Sequence, residues 1–357
     1  MEADIRTLVF MHLAQDLDLL FPLFSEAKTR KGIELIPVAT DRLAQSSARV
    51  KAAFASISVP LRVIPYVWTL LGIGPSLKGF DAVLTAAESN ARPHWVAYRL
   101  TRRANREGLK TLTLQHGFEQ PGLTYFDEIY RPDKFRFASK KIFIWGTRAA
   151  LHEKVPQSIR SRCETVGWPK EKFVNALASL KGKFPGPTVL VSENLHRSGY
   201  DEDFRRRFVT DLEAAVANFP RLTFVLHPHP TQRWLAIHHE GRFSRFENFL
   251  LADPKDPAWE PYTATALVSI CDGVITTPST VALDAAMVGR PVAVAAYGLE
   301  TGRYAPLSFL SRPGDWTDFL NGLGQKKTLE DSRQRALEFA ARWVVPGDAT
   351  ERILAHC

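Results

Sequence analysis

The sequence predicts an α/β protein built from two doubly wound lobes with a cleft between them. The chain has 357 residues, more than one hydrophobic core usually organises. Its composition, 45% apolar and 24% charged, is typical of a folded globular protein. Apolar runs bounded by turn residues alternate with longer stretches of helical spacing, and this alternation occurs twice, as expected for helices around two parallel sheets.

The first lobe is expected over residues 1–170. Gly32 and Gly108 follow its two predicted helices at positions typical of helix C-caps. The predicted strands are Thr7–His12, Gly32–Pro37, Asp81–Ala86, Lys110–Gln115, Lys141–Trp145 and Glu164–Val166, and the helices are Leu19–Lys31 and Pro93–Gly108.

The second lobe is expected over residues 183–328, after a polar helix and the linker at 182–187. A C-terminal segment, 329–357, is helical in period over Leu329–Trp343 and is expected to pack across both lobes because no strand follows it. The predicted strands are Thr188–Ser192, Leu222–His227, Gly273–Thr276 and Pro291–Ala295, and the helices are Asp203–Phe219 and Thr280–Gly289.

The N-terminus predicts a cytoplasmic protein. Acids precede its first apolar run and no basic region or cleavage site accompanies that run, which favours a strand over a signal peptide. The longest apolar stretch, Ile57–Gly74, is interrupted by two prolines and an arginine and is too short to cross a bilayer. Cys163, Cys271 and Cys357 are odd in number and far apart, which favours reduced thiols.

The formal charge of +8 favours an anionic partner. Arginine clusters at 102–106 and 205–207 lie on predicted helix faces, where solvation is the more common role. No zinc-finger, RNP or helix-turn-helix pattern accompanies them, so we expect no nucleic-acid partner. A phosphorylated substrate and the anionic inner membrane face remain, the latter with Val63–Leu71 as a peripheral apolar contact.

The stretch Ile275–Val294 is the strongest candidate for a phosphate site. A strand ends at Thr276, the turn Thr277-Pro278-Ser279-Thr280 follows, and a helix begins there. The first backbone N–H groups of a helix and its dipole attract anions, and parallel sheets bind ligands at the carboxyl ends of their strands. The alternative is that Ser279 or Thr280 only caps its own helix.

The sequence His227-Pro228-His229-Pro230 ends another predicted strand. The prolines stiffen this loop and hold both imidazoles at the edge of the sheet, where they can donate to phosphate or act as bases. A surface role is the alternative. A metal site with His238 and His239 is disfavoured, because their spacing fits no helical pair of ligands, and we expect no metal.

His116 ends a third strand and is followed by a glycine that allows a tight turn. We expect it at the rim of the first lobe, facing the phosphate site across the cleft, where it would accept the proton of an acceptor hydroxyl. The alternative is a histidine bonded to loop carbonyls. Glu88 and Glu119, both just beyond strand ends, are acidic candidates for the same role.

Weaker candidates for the cleft are Gly167 at the lobe junction, Glu193 and Asn194 after the first strand of the second lobe, and Arg303, for which phosphate binding and solvent exposure are equally open. The sequence contains no P-loop and no Gly-x-Gly-x-x-Gly after a strand, so a P-loop NTPase and a dinucleotide dehydrogenase are disfavoured. We expect no cofactor.

From Asp81 to Leu310, the order of these motifs resembles the GT-B transferases of bacterial surface-polysaccharide assembly. Gly-flanked His116 resembles the histidine taken as the base in CDP-glycerol glycerophosphotransferases, and Gly167 lies in a similar Gly-x-Pro junction. His227-Pro228 is similar to the His-Pro motif that contacts donor phosphate there and in bacterial sialyltransferases and capsule Kdo transferases. Ser279-Thr280 resembles their phosphate motif.

The resemblance implies a GT-B-like, metal-independent transferase. It would move a sugar of Kdo or sialic-acid type, or glycerol phosphate, from a cytidine-nucleotide donor to a growing glycan or a lipid-linked acceptor. Two departures leave the donor open: Kdo enzymes usually have an acidic motif at Gln115–Phe118, and glycerophosphotransferases an Asp-Tyr pair at Thr277-Pro278. A nucleotide-sugar 2-epimerase or hydrolase and a non-enzymatic anion-binding module are the alternatives.

Overall fold

The computed structural model describes residues 5–170, 180, 182, 184, 186–197, 199–230 and 232–357. The chain divides into two compact units, the first formed by Met1–Glu171 with Arg342–Cys357 and the second by Lys172–Ala341. The predicted polar helix after Pro169 lies outside the described residues, as do parts of the predicted linker at 182–187.

The first unit contains a seven-stranded parallel sheet in the order β3-β2-β1-β4-β5-β6-β7. Its strands are β1 Ile5–Met11, β2 Ile33–Thr40, β3 Arg62–Ile64, β4 Ala82–Ala86, β5 Lys110–Leu114, β6 Lys141–Ile144 and β7 Cys163–Thr165. Its helices are α1 Ala14–Ala27, α2 Asp41–Ser46, α3 Ala48–Ser56, α4 Tyr66–Leu71, α5 Trp95–Arg106 and α6 Gln157–Arg160, with α13 Ala349–Leu354 from the C-terminal segment.

The second unit contains a six-stranded parallel sheet in the order β10-β9-β8-β11-β12-β13. Its strands are β8 Thr188–Glu193, β9 Thr223–Pro228, β10 Phe249–Leu251, β11 Gly273–Thr276, β12 Val292–Ala295 and β13 Ser308–Leu310. Its helices are α7 Glu202–Asn218, α8 Trp234–Phe243, α9 Ala264–Ile270, α10 Thr280–Met287 and α11 Pro313–Leu323, and α12 Lys326–Trp343 begins in this unit and ends in the first.

Both sheets are doubly wound. The strand order reverses between β1 and β4 in the first sheet and between β8 and β11 in the second. Central strands such as β8 and β11 are buried along their whole length, which is typical of parallel sheets covered on both faces. A reversal of this kind opens a crevice at the carboxyl ends of the strands, where ligands bind in open α/β sheets.

The C-terminal segment is packed closely into the first unit. Val345 N donates a hydrogen bond to Trp145 O at 3.0 Å. A Cβ on Gly146 would lie 2.5 Å from Trp343 O, and a Cβ on Gly167, where φ is +95°, would lie 3.0 Å from Val345 O. Only glycine allows the backbones to approach so closely at these two positions.

Several expected boundaries differ from the structure. Helix α1 begins at Ala14, five residues before the predicted Leu19, because Asp16 in its first turn accepts the backbone N–H of Leu13 at 2.9 Å. Strands β3, β10 and β13 are additional. The three cysteines are free and buried, and no helix in the described ranges is long and apolar enough to cross a bilayer.

Candidate functional site

The reversal point of the second sheet brings three predicted motifs to neighbouring strand ends. Ser192, near the end of β8, pairs with His227 of β9 on one side and with Thr276 of β11 on the other. Adjacent strands are about 4.8 Å apart, so the backbones of His227 and Thr276 are separated by roughly 10 Å. The histidine loop and the hydroxyl-rich turn therefore both lie at the carboxyl end of the second sheet.

The turn Thr277–Thr280 starts helix α10. Ser279 is its N-cap, with Oγ accepting the N–H of Val281 at 3.2 Å, and the same Oγ lies 2.9 Å from Thr276 Oγ1. The capping role considered for Ser279 is thus present in the structure. Pro278, Ser279 and Thr280 are partly exposed, so the start of the helix is open to a ligand while Ser279 caps it.

Asn194, in the loop after β8, is hydrogen-bonded to this turn. Its Nδ2 donates to Pro278 O at 3.0 Å, and its Oδ1 accepts from Thr277 Oγ1 at 2.6 Å and from Tyr200 Oη at 2.8 Å. Thr277 is fully buried. These contacts hold Pro278 and Ser279 in place, so Asn194 and Thr277 position the turn.

Glu193 is also buried, at the end of β8. Its carboxylate accepts the backbone N–H of Leu195 at 2.7 Å and that of Leu235, in the first turn of α8, at 3.1 Å. Burial raises the pKa of Glu193, and both hydrogen bonds act in the opposite direction. The residue anchors the start of α8 beside the histidine loop.

Three histidines lie close together at this carboxyl end of the sheet. His227 is buried in β9 before the buried Pro228, and the ring of the partly buried His229 lies 4.6 Å, centroid to centroid, from that of His196 in the loop after β8. Burial, followed by the charges of His196 and His227, lowers the pKa of His229 to about 4. Burial and Arg197 lower the pKa of His196. His229 and His196 are therefore neutral near pH 7.

Arg303 lies in a short 3-10 turn, Gly302–Tyr304, in the segment between β12 and β13, and is partly buried. It thus follows a strand of the same sheet. Across the residues that the structure describes, no group of three or more His, Cys, Asp or Glu side chains is arranged to hold a metal ion.

In the first unit, His116 follows β5. Its backbone N–H donates to Oε1 of the buried Gln120 at 2.8 Å, and its ring lies 4.8 Å from the ring of His94 at a nearly perpendicular angle. Its Nδ1 is buried and has no hydrogen-bond partner within the described chain. Burial lowers the pKa of His116 to about 4, although the charge of Asp16 acts to raise it.

Two further histidines and an aspartate complete this cluster. His94 Nδ1 lies 2.7 Å from Ser89 Oγ, and burial followed by the neighbouring histidines lowers the pKa of His94 well below its usual value. His12, directly after β1, has Nδ1 3.1 Å from Oδ2 of the fully buried Asp16. Sequence reasoning missed His12, His94 and Asp16, although a polar residue directly after the first strand was the available signal.

Glu88, a candidate acid, is fully buried after β4. Its carboxylate accepts the N–H of Ala138 at 2.9 Å, the N–H of Ser139 at 3.2 Å and Ser139 Oγ at 2.8 Å. These contacts give Glu88 a structural role in fixing residues 138–139. The residue before it, Ala87, has φ of +51°, a strained conformation for a residue with a side chain.

The two remaining candidates lie elsewhere in the first unit. Glu119 is partly exposed, three residues after His116. Gly167 is buried against the C-terminal segment, and Val166 O accepts from Arg352 Nη1 at 3.1 Å. The contacts of Gly167 are therefore those of a packing position. His196 ends the predicted stretch at the end of β8 that also contains Glu193 and Asn194, and it belongs to the second-unit site.

No protein-family model matches the sequence, and no curated protein sequence matches it. Solved structures resemble its fold. The UDP-GlcNAc 2-epimerase from Neisseria meningitidis, bound to UDP-GlcNAc, superposes with a TM-score of 0.68 and 13% identity over 98% of this chain and 99% of that one. The UDP-GlcNAc 2-epimerase from Methanocaldococcus jannaschii, in complex with UDP-GlcNAc and UDP, gives 0.67 and 11% over 98% and 99%.

The wall teichoic acid polymerase TagF also resembles this chain, with a TM-score of 0.64 and 11% identity over 98% of this chain and 87% of that one. Identities this low concern the fold alone. With the two parallel sheets described above, they confirm the predicted two-lobed α/β fold of GT-B type.

Proposed function

We propose that the second unit binds the phosphates of a nucleotide-activated donor and that the protein is a transferase. The proposal rests on one observation. His196, His227 and His229 lie at the carboxyl end of the second sheet, where the open start of α10 also lies. Imidazole and helix N–H groups are donors for phosphate oxygens, and a helix start favours negative charge.

In this proposal the histidines stabilise the leaving group. A phosphate dianion raises the pKa of imidazoles that are neutral in the free protein, so donor binding takes up protons. The protonated imidazoles then donate hydrogen bonds to the negative charge that develops on the leaving nucleotide. Because burial lowers the pKa of His229 to about 4 in the free protein, this uptake is confined to pH values between about 4 and the raised pKa in the complex, so it should be larger at pH 6 than at pH 8.

The first unit supplies the base in this proposal. His116 is neutral near pH 7 and is therefore able to accept a proton from an acceptor hydroxyl. The transferred group would be a sugar of Kdo or sialic-acid type, or glycerol phosphate, and the donor nucleotide a cytidine nucleotide, as the motif resemblance implies. The acceptor would be a growing surface glycan or its lipid-linked precursor.

The test is calorimetric titration with CMP, CDP, UMP and UDP at pH 6 and pH 8. We expect the cytidine nucleotides to bind more tightly than the uridine nucleotides, tighter binding at pH 6, and a binding enthalpy that depends on the ionisation enthalpy of the buffer. His227→Asn should weaken binding at least tenfold. His238→Asn is the matched control, because His238 is exposed and its ring lies 4.9 Å from that of Trp234 at a tilted angle. Unchanged affinity of His227→Asn would contradict the phosphate site.

A nucleotide-sugar 2-epimerase or hydrolase is the second candidate. What favours it is coverage: the two epimerase structures above match nearly the full length of both chains, whereas TagF is covered over 87%. Such an enzyme needs one sugar nucleotide and no acceptor. Rapid turnover of UDP-GlcNAc without an added acceptor would support it and contradict the transferase. A non-enzymatic anion-binding module should ignore all four nucleotides.

A further inference from the structure

An apolar patch lies on the surface of the first unit around helix α4. It consists of Val63, Val67, Trp68, Leu71 and Ile73, of which Leu71 is 60% and Ile73 67% exposed and the others about half. Isolated exposed apolar side chains are ordinary, but five within eleven consecutive residues form a contiguous surface. Contiguous exposed apolar surfaces mark interaction sites.

Helix α4 is apolar on two sides, because Tyr66 and Leu70 pack against the core of the first unit while other apolar residues face outward. Val67, Trp68 and Leu71 point outward on neighbouring positions of one helical face, while the helix's buried side chain is Thr69. The hydroxyl of Thr69 has no hydrogen-bond partner among the residues described. A surface helix normally has polar residues on the side away from the core, so the second apolar side of α4 is suited to contact something less polar than water.

Arginines border the patch. Helix α4 packs on α5, where Arg103 Nη1 donates to Gly72 O at 3.1 Å and Arg99 Nη2 lies 3.8 Å from the position that a Cβ on Gly72 would take. The exposed Arg62 precedes the patch. Residues 62–80 contain no Asp or Glu, and neither do residues 95–106. Arg103 is largely buried and pairs with Glu107, and Asp41 accepts the N–H of Tyr66 at 2.8 Å, so the positive charge that borders the patch is that of the exposed Arg62 and the partly exposed Arg99.

We infer that the apolar patch docks the protein on an anionic lipid bilayer. The apolar side chains enter the boundary between headgroups and acyl chains, and Arg62 and Arg99 face the lipid phosphates, which is how interfacial helices bind membranes. A second copy of the same surface would bring two positive borders together, so charge complementarity favours lipid over self-association. This inference stands independently of the proposed transferase activity.

The test is co-sedimentation of the full chain with vesicles of phosphatidylglycerol in phosphatidylcholine and with vesicles of phosphatidylcholine alone. We expect binding to the anionic vesicles that weakens as salt is added, and much weaker binding to the neutral ones. Leu71→Glu with Ile73→Glu should reduce the bound fraction at least tenfold. Arg62→Gln with Arg99→Gln should reduce binding to anionic vesicles only.

Ile237→Glu is the matched control, because Ile237 is similarly exposed but belongs to the second unit. It should bind vesicles like the parent, and thermal unfolding should confirm that all variants are folded. Absence of parent binding, or equal loss in the patch and control variants, would overturn the inference. So would a parent that is dimeric in solution, does not bind vesicles and becomes monomeric with the Leu71 and Ile73 substitutions.

Discussion

At the residue scale, Glu88 is a position where structural and catalytic roles make different predictions. Its carboxylate accepts three hydrogen bonds from Ala138 and Ser139 in the core of the first unit. Glu88→Gln replaces one acceptor oxygen with an NH2 group that faces these donors. We expect a loss of about 1–3 kcal/mol in the free energy of unfolding, measured with urea, and unchanged nucleotide affinity.

The acidic role considered for Glu88 predicts the reverse pattern. If Glu88→Gln has the parent's free energy of unfolding but turns over the donor at least two orders of magnitude more slowly, the carboxyl group takes part in the chemistry. Glu119→Gln provides the comparison, because Glu119 is partly exposed and its replacement should have little effect on stability.

Ala87 gives a second prediction at this scale. Its φ of +51° places a Cβ in the left-handed region, at a cost on the order of 1 kcal/mol. Ala87→Gly should therefore leave the unfolding free energy unchanged or raise it. Ala86→Gly, at the last residue of β4, should lower the unfolding free energy by roughly 0.5–1 kcal/mol. Equal destabilisation by both substitutions would show that Ala87 is not strained.

The position of a candidate site residue was predictable from the sequence where that residue lies at the end of a predicted strand. His227, Ser279 and His116 follow predicted strands, and the structure places each at the carboxyl end of its sheet. The partners of Glu193 and Asn194 were not predictable. Glu193 bonds to Leu235, 42 residues away, and Asn194 to Pro278, 84 residues away, so the direction of each side chain depends on tertiary packing.

At the element scale, substitutions of Ser279 at the start of helix α10 distinguish helix capping from phosphate binding. Ser279→Asp keeps a capping oxygen but places a negative charge at the helix start, whereas Ser279→Ala removes the cap. We expect Ser279→Ala to lower the unfolding free energy by about 1 kcal/mol and Ser279→Asp to preserve it. Calorimetry should nevertheless show the weaker nucleotide binding for Ser279→Asp, because its carboxylate repels phosphate.

Ser279→Thr is the control, since threonine also caps helices and carries no charge. It should resemble the parent in both measurements. Nucleotide binding by Ser279→Asp at the parent's affinity would show that the start of α10 does not receive the phosphates.

Elements were predicted best where they are long or central. Strand β11 was predicted with its observed bounds, and β8 and β9 to within one residue at each end. Of the four edge strands, β7 was predicted to within one residue at each end, and β3, β10 and β13 were missed. All four have three residues and pair with one neighbour, so they are too short to show a reliable alternation or a continuous apolar run.

At the scale of the whole molecule, the buried histidines predict sensitivity to acid. The pKa values of His94, His116, His196 and His229 lie below 6.5, the ordinary value, and those of His116 and His229 at about 4. Between about pH 4 and 6.5 these four positions therefore bind more protons in the unfolded chain than in the folded one. Their contribution to stability is fully present above this window and is lost as the pH decreases through it.

Thermal unfolding at pH 7.5, 6.5, 5.5 and 4.5 checks this expectation. The midpoint should fall across the series, and the fall should be smaller for His116→Gln, which removes one of the groups that take up protons on unfolding. His238→Asn should follow the parent, because His238 is exposed. A midpoint that is constant from pH 6.5 to 4.5 would contradict the expectation.

The close packing of the C-terminal segment against Gly146 and Gly167 bears on how the protein is made. Residues 342–357 complete the first unit, yet the ribosome adds them only after the whole second unit. A nascent chain can therefore fold the second unit while the first still lacks α13 and the backbone contacts at Trp145 and Val166. Until residues 342–357 emerge, an elongating chain therefore exposes the surface of the first unit that these residues cover.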